Sequence, residues 1–346
     1  RLQDVYVKIQ HDPQGWALVQ AQGLLREYSQ HPMKWIPGLN NAGGGFLLEG
    51  KQVWLDFDEK ALTLDYPAIF REPLQLNRVQ GSLGIRWGDD GIFVRSSPLL
   101  VDTPYGETVT RMSLALPSES TGIAPSLALQ STLRNVAAEH ASLYLPAGIL
   151  SPSLLGWLDG AIQGGRLKQG DIIVNGPLHR PDQDGARSVS LGFQVEAGKL
   201  QFLPEWKEPI QQLDADVIVE NGVVQATAKA GEYYGLSLEN SRVWTQREGD
   251  ITHLHVTTEA AGEAGKCLNL LRESPLGETL RAPLGDMTIT GPVSAQFQLD
   301  APLTTKPVLQ GQVNVSLPGG ELNWPSQRLN VSSLDLNLVY DLQRGL

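Results

Sequence analysis

The sequence is poor in the residues that crosslink, anchor and catalyse. Cys267 is the only cysteine among 346 residues, so neither a disulfide framework nor a cysteine zinc site can be built within the chain. That fits a reducing compartment as well as an exported protein that does without disulfides. Basic residues are in deficit: 27 Lys and Arg stand against 38 Asp and Glu, giving a net charge of -11. They are also scattered, which argues against nucleic acid or an anionic membrane surface as the main partner, since phosphate binding needs clustered cations. Nowhere is there the run of roughly 18 to 20 apolar residues that a membrane span requires, and no charged-then-apolar signal segment is present. The chain opens on Arg1 and stops in mid-pattern at Leu346. The expectation is a piece of a longer protein, with any anchor or export signal elsewhere.

Motifs of chemistry are equally sparse. There is no Gly-x-Ser-x-Gly elbow, no His-Glu-x-x-His and no phosphate-binding glycine loop; Gly43-Gly44-Gly45 reads as a turn ahead of a strand. His253-x-His255 puts two imidazoles on one strand face with no third ligand nearby in sequence, so no metal is expected. Asp182-x-Asp184-Gly185 resembles part of a calcium loop but lacks the later Glu. Asp56, Asp58 and Glu59, or Asp214 and Asp216, would supply a glycosidase's paired carboxylates, with Trp54 or Trp87 walling the cleft. Carboxylates at i, i+2 on an amphipathic strand are, however, usually its wet face. The reading is no enzyme, no cofactor and no metal.

What the sequence has is alternation. Val5 and Val7, then Val53, Leu55 and Phe57, then Leu62, Leu64 and Tyr66 point to one side while polar residues point to the other. Turns are expected at Asn40-Asn41, at Asp89-Asp90-Gly91, from Asp182 to Gly185, at Asn221-Gly222 and at Pro318-Gly319-Gly320. Trp16 to Gln22, apolar on both faces and uncapped, is read as strand. About twenty short strands joined this way imply antiparallel meanders.

Two stretches break the pattern. From Tyr144 to Arg166 the spacing becomes helical: Ser151 caps, Pro152 starts, and Gly164-Gly165 ends a helix reaching to about Gln163. Leu154, Leu155, Leu158, Ala161 and Ile162 share one stripe with Trp157 at its margin. A second helix is expected around Lys266 to Thr279, broken or bent at Pro275. The chain also repeats itself. Leu76-x-x-Val79-x-Gly81-x-Leu83-x-Ile85 returns as Ile210-x-x-Leu213-x-Ala215-x-Val217-x-Val219 and as Val331-x-x-Leu334-x-Leu336-x-Leu338-x-Tyr340. Gly198-x-Leu200 and Gly320-x-Leu322 precede the last two copies. Such a period points to an array of β units rather than a closed globule.

Several of these elements carry a resemblance. Phe70-Arg-Glu-Pro-Leu74 with Gly81 and Trp87, YLP at Tyr144, SPSLLGWLDGAIQGG from Ser151, Asn175-Gly-Pro-Leu178, Glu273 to Leu276, and Thr290-Gly-Pro292 follow one another as in the YhdP branch of the AsmA-like envelope proteins. The order matches from about Trp35 to the end. The resemblance implies a periplasmic segment of an inner-membrane-anchored protein of a Gram-negative bacterium, related to bridge-like lipid transfer proteins. It also implies phospholipid as ligand, the inner and outer membranes and envelope proteins as partners, and no nucleic acid.

The expected fold is therefore mainly β: an extended antiparallel sheet of repeated units folded into a trough, with two short helices. Its parts are a first β unit (1–146), an inserted plug or cap helix (147–166), a second β unit (167–265), a second helix (266–284) and the start of a third β unit (285–346). A sheet with one apolar face must cover it with a second sheet, helices or a ligand. Under the resemblance, the apolar partners of each strand line the groove. In the first unit these are Val53, Leu55, Phe57, Leu62, Leu64, Leu83 and Ile85. Further on come Phe193, Val195, Val217 and Val219, then Leu254, Val256, Phe297, Leu299, Val313 and Val315. Leu154, Leu155, Trp157, Leu158 and Ile162 form the plug. The rival readings are a non-catalytic scaffold or protein-docking array with a dry core, and a carbohydrate-active enzyme.

Overall fold

A computed structural model describes residues 1–13, 15–33, 36–178, 187–273, 284–304 and 310–341. Nineteen strands make one antiparallel sheet, accompanied by three short α-helices. In chain order they begin β1 (Leu2–Asp12), β2 (Gly15–Gln30), β3 (Gly38–Glu49), β4 (Gln52–Asp65) and β5 (Leu74–Gly88). Then come β6 (Gly91–Ser96), β7 (Leu99–Thr103), β8 (Gly106–Pro117) and β9 (Ser126–Ala137). After α1 (Ala141–Tyr144) and α2 (Pro152–Ala161) the chain continues as β10 (Ile162–Pro177), β11 (Ser188–Leu200), β12 (Ile210–Glu220) and β13 (Val223–Tyr233). It ends with β14 (Leu236–Glu248), β15 (Ile251–Glu263), α3 (Ala264–Glu273), β16 (Thr288–Thr290), β17 (Pro292–Pro302), β18 (Gln310–Trp324) and β19 (Leu329–Asp341).

The described residues divide into two compact units. The first takes residues 1–156 and 168–192, the second 157–167 and 193–346. Within the first, each strand pairs with its sequence neighbour, except that β6 and β7 lie end to end between β5 and β8. Pro98 causes the gap, since it has no N–H to give to a ladder. Within the second unit β16 and β17 are likewise two pieces of one strand, parted at Gly291 with φ of 111°.

Bulges account for the repeat. Its first gap of three residues, where strict alternation would require two, is where the pleat resets. In the second copy the β12–β13 register shifts between Gln211 and Asp214, and in the third the β18–β19 register shifts next to the Gly320–Leu334 pair. The same clamp stands at both. Left-handed Ala197 donates its backbone N–H to Asp214 Oδ1 at 2.8 Å, and left-handed Gly319 donates to Asp335 Oδ1 at 2.8 Å. In the first copy left-handed Ala61 on β4 resets the alternation opposite β5. Phe57 and Leu62, an odd five residues apart, thereby join one cluster with Leu64, Ala42, Leu76 and Val79.

Several expected turns are part of this machinery. Asn40-Asn41 and Gly43-Gly44-Gly45 lie inside β3, and Pro318-Gly319-Gly320 lies inside β18; there the glycines and left-handed residues bend a continuous strand instead of ending it. Asp89-Asp90 and Asn221-Gly222 are turns, closing β5 to β6 and β12 to β13. The stretch from Asp182 to Gly185 lies outside the described residues. Trp16 to Gln22 is strand, within β2.

Helix α2 is shorter than expected. Ser151 caps α2 through its Oγ to the Leu154 N–H at 3.3 Å. The helix stops at Ala161, however, and Ile162 with Gly164-Gly165 belong to β10. Pairing takes over there: the Gln201 N–H bonds the Ala161 carbonyl, and Gly165, with φ of 106°, lies so close to Gly198 that no side chain fits. Helix α3 starts at Ala264, two residues before Lys266; Pro275 and the residues to Thr279 lie outside the described residues. Its Leu268 and Ala264 are buried, and Ala264 packs with Leu236, Val293 and Leu317.

Candidate functional site

Because directly opposed residues of an antiparallel pair share a face, the register tells which side chains form one surface. In the first unit Val7 faces Ala21, Ala21 Leu48, Leu48 Val53, Val53 Ile85, Ile85 Val94, Val94 Leu114, and Leu114 Leu127. Eight strands thus present an unbroken apolar file at right angles to themselves. At the strand spacing of ~4.8 Å it runs about 34 Å. Beside it, Phe46, Leu55 and Leu83 form a second file, ending at Ser96.

The second unit repeats this. Val217, Ala226, Val243, Val256, Leu299 and Gly311 are opposed in turn. Leu254 adjoins Ala301, Phe297 faces Val313, and Val315 faces Ala295 and Leu338. Val219 faces Val224. On β11, Phe193 and Val195 are half-buried, with Val195 against Gly198.

The opposite face is mostly polar, with Trp54 and Ile218 as exposed exceptions. In the second unit one of its files reads Asp216, Thr227, Arg242, Thr257, Gln298, Gln312, Asp341. Ion pairs tie it together: Arg78 to Asp58 at 2.7 Å, Arg166 to Glu196 at 2.5 Å, and Lys229 to Asp216 at 2.6 Å. The hydrogen bond that Lys229 donates to Asp216 holds its ammonium above its usual pKa, and the one donated by Arg86 holds the Asp90 carboxyl below the usual range.

The apolar face is not sealed. Of the seventeen residues expected on it only Leu62 is fully buried, and the rest are half-buried. In a dry sandwich such positions form the closed core. The chain exposes 21467 Å², whereas two separate compact units sharing its mass would expose about 17,000 Å². Large apolar side chains account for part of the excess, among them Ile9, Leu18 and Trp54.

The helix residues are placed differently. Leu154 and Trp157 are exposed, Leu155 and Leu158 are half-buried, and Ile162 is half-buried in β10. The Trp157 indole N–H donates to the Phe202 carbonyl at 3.0 Å, holding the helix to the end of β11.

The alternatives are also located. Asp58 is bound to Arg78, Asp214 to the Ala197 N–H, and Asp216 to Lys229, all on the polar face. Trp54, across from Gly84, shares the face of Asp56 and Asp58, whereas Trp87, an odd number of residues from Gly84 on the same strand, is on the other face. His253 and His255 do have an acidic neighbour, contrary to the reading from sequence. Asp300 on β17 approaches His253 Nδ1 at 2.8 Å and His255 Nδ1 at 3.4 Å. Its sequence distance hid it. Among the described residues no group of three or more His, Cys, Asp or Glu is arranged to hold a metal ion.

The described sheet is thus amphipathic, with one half-buried apolar side. The sequence profile of the YhdP protein family matches residues 1–343. The chain belongs to the YhdP family. Among curated proteins it is similar to the intermembrane phospholipid transporter YhdP of Escherichia coli (strain K12), at 21% identity over 271 residues. That alignment covers 78% of this chain and 21% of the relative, so the chain spans about a fifth of that YhdP protein's length. No solved structure matches. No described helix is long and apolar enough to cross a membrane.

Proposed function

We propose that the chain is a non-catalytic segment of a periplasmic bridge that carries phospholipid between the inner and outer membranes of a Gram-negative cell. The apolar face curves into a groove, and acyl chains run along its cross-strand files while headgroups stay in water. The observation that carries this reading is the half-buried apolar face, continuous in register across the strands of each unit and only partly covered, by α3 at Val293, Val315 and Leu317. Each acyl methylene moved into water costs about 0.8 kcal/mol, so a sixteen-carbon chain loses on the order of 13 kcal/mol. A lining that accompanies the chain removes most of that barrier without any chemical step. The file across the first unit exceeds the roughly 15 Å that the chains of one leaflet occupy. In this reading α2, with Leu154 and Trp157 exposed, adds a further apolar contact as cap or plug.

The test is photo-crosslinking in cells with a reactive residue at Phe57, Leu83 or Val217, each compared with Asp56, Ser82 or Asp216 on the polar side. Phospholipid adducts on the apolar positions alone are expected. Crosslinks within the protein alone at those positions would overturn the reading in favour of a docking scaffold.

A further inference from the structure

The apolar face of the first unit carries a cluster of three hydroxyls. Thr108 and Thr110 lie two apart on β8, in step with Met112 and Leu114, and Ser131 lies opposite Thr110 on β9. Their hydroxyl oxygens meet: Thr110 to Ser131 at 2.8 Å, Thr108 to Ser131 at 3.1 Å, and Thr108 to Thr110 at 3.3 Å. Around them the register sets mainly apolar side chains, and two other hydroxyls of this face are already engaged: Ser96 accepts from the Met112 N–H, and Thr103 accepts from the Tyr144 hydroxyl and donates to the Gly106 carbonyl. Leu99 faces Thr110, Val101 and Leu133 face Thr108, and Met112 with Leu129 forms the next pair. Ser131 is 9% exposed, and the two threonines are half-buried.

Resting on the lipid-conduit reading, we propose that this triad is a docking station for the ester carbonyl of a phospholipid's acyl chain. Three hydroxyls bring three protons. The contact at 2.8 Å holds one of them firmly, whereas those at 3.1 and 3.3 Å are long for an O–H···O bond. The proton of the 3.3 Å contact is the most weakly held and can turn to an outside acceptor. The acceptor that fits is neutral, because no cation shares this stretch of the face: Arg111 and Arg134 alternate with Met112 and Leu133 and so point to the other side. A phosphate would be left unneutralised here. An ester carbonyl is uncharged, accepts one hydrogen bond and is joined directly to the alkyl chain that the flanking Leu99, Leu129 and Leu133 accommodate. The station gives a sliding lipid a preferred stopping position on a mainly apolar lining.

The experiment compares binding of dipalmitoyl phosphatidylethanolamine and its dihexadecyl ether analogue, which has the same headgroup and chains but no carbonyls, to the full 346-residue chain by native mass spectrometry. One hydrogen bond gained makes the ester lipid bind about three- to tenfold more tightly than the ether. In the isosteric variant T108V/T110V/S131A that preference disappears, while ether-lipid binding and the thermal midpoint stay within error of the parent. Equal binding of the two lipids by the parent chain, or a preference that survives in the variant, would overturn the station and leave the conduit reading intact. Binding of neither lipid would overturn the conduit reading and the station with it.

Discussion

Replacing Leu83 by Asp separates an open lining from a closed core. Leu83 is half-buried on β5 between Leu55 of β4 and Ser96 of β6. Full burial of a leucine side chain is worth about 1.5–3 kcal/mol, so giving up the half that is buried costs about 1 kcal/mol. The new carboxylate stays ionised where water reaches the face. In a dry sandwich the same group would be an unpaired buried charge costing several kcal/mol, enough to unfold a marginally stable chain. The effect on a bound acyl chain is larger than that on the fold. Two or three methylenes passing the carboxylate lose their apolar contact, about 2 kcal/mol, which lowers lipid occupancy about thirtyfold. Urea unfolding followed by circular dichroism reads the first quantity, and lipid crosslinked at the neighbouring Leu55 reads the second. Loss of the folded state in Leu83→Asp, or an unchanged lipid yield at Leu55, would refute the reasoning.

Gly44→Ala should destabilise by at least about 2 kcal/mol, since Gly44 has φ of 140° and its added Cβ would stand 2.0 Å from the Asp56 carbonyl oxygen; a urea midpoint equal to the parent's would contradict the bulge geometry. Ser151→Ala removes the cap of α2 and should cost about 1 kcal/mol locally, seen as faster hydrogen exchange in residues 152–161 with little change in the global midpoint. Burial first, then the neighbouring Tyr234, raises the pKa of the Tyr233 phenol well above its ordinary value. Below about pH 10 both folded and unfolded states keep that proton; above it the unfolded chain releases it first, so stability falls as pH rises. Tyr233→Phe should flatten this alkaline loss, and identical stability-against-pH slopes for the two proteins between pH 9 and 11 would exclude the assignment.

The face of the sheet was legible because period-two alternation is written residue by residue. Val53, Leu55, Leu83 and Ile85 need no partner to declare their side, and register brings them together as pairs. The capped start of α2 was legible for the same local reason. Its end was not, because pairing of β10 overrides the helix preference of residues beyond Ala161. Bulges escaped for a related reason. Ala61 and Ala197 are left-handed where no glycine or asparagine advertises it, and only the sheet's need to reset the pleat puts them there. The three-residue gap in the repeat was the available clue. The hydroxyl triad and the approach of Asp300 to His253 and His255 depend on which strands become neighbours, a property that no single strand encodes.

Neighbour-by-neighbour pairing has a consequence for how such a chain can change. Opposed residues alternate in the same sense on every strand, so removing one hairpin leaves the flanks in phase. Without β13 and β14, Val217 of β12 would meet Val256 of β15, the residue to which it is already linked through Ala226 and Val243. Length can thus grow or shrink in steps of one hairpin, each step about 10 Å, while the character of both faces is inherited unaltered. Gene duplication supplies such steps readily, and each step keeps the pairing of apolar with apolar and polar with polar positions.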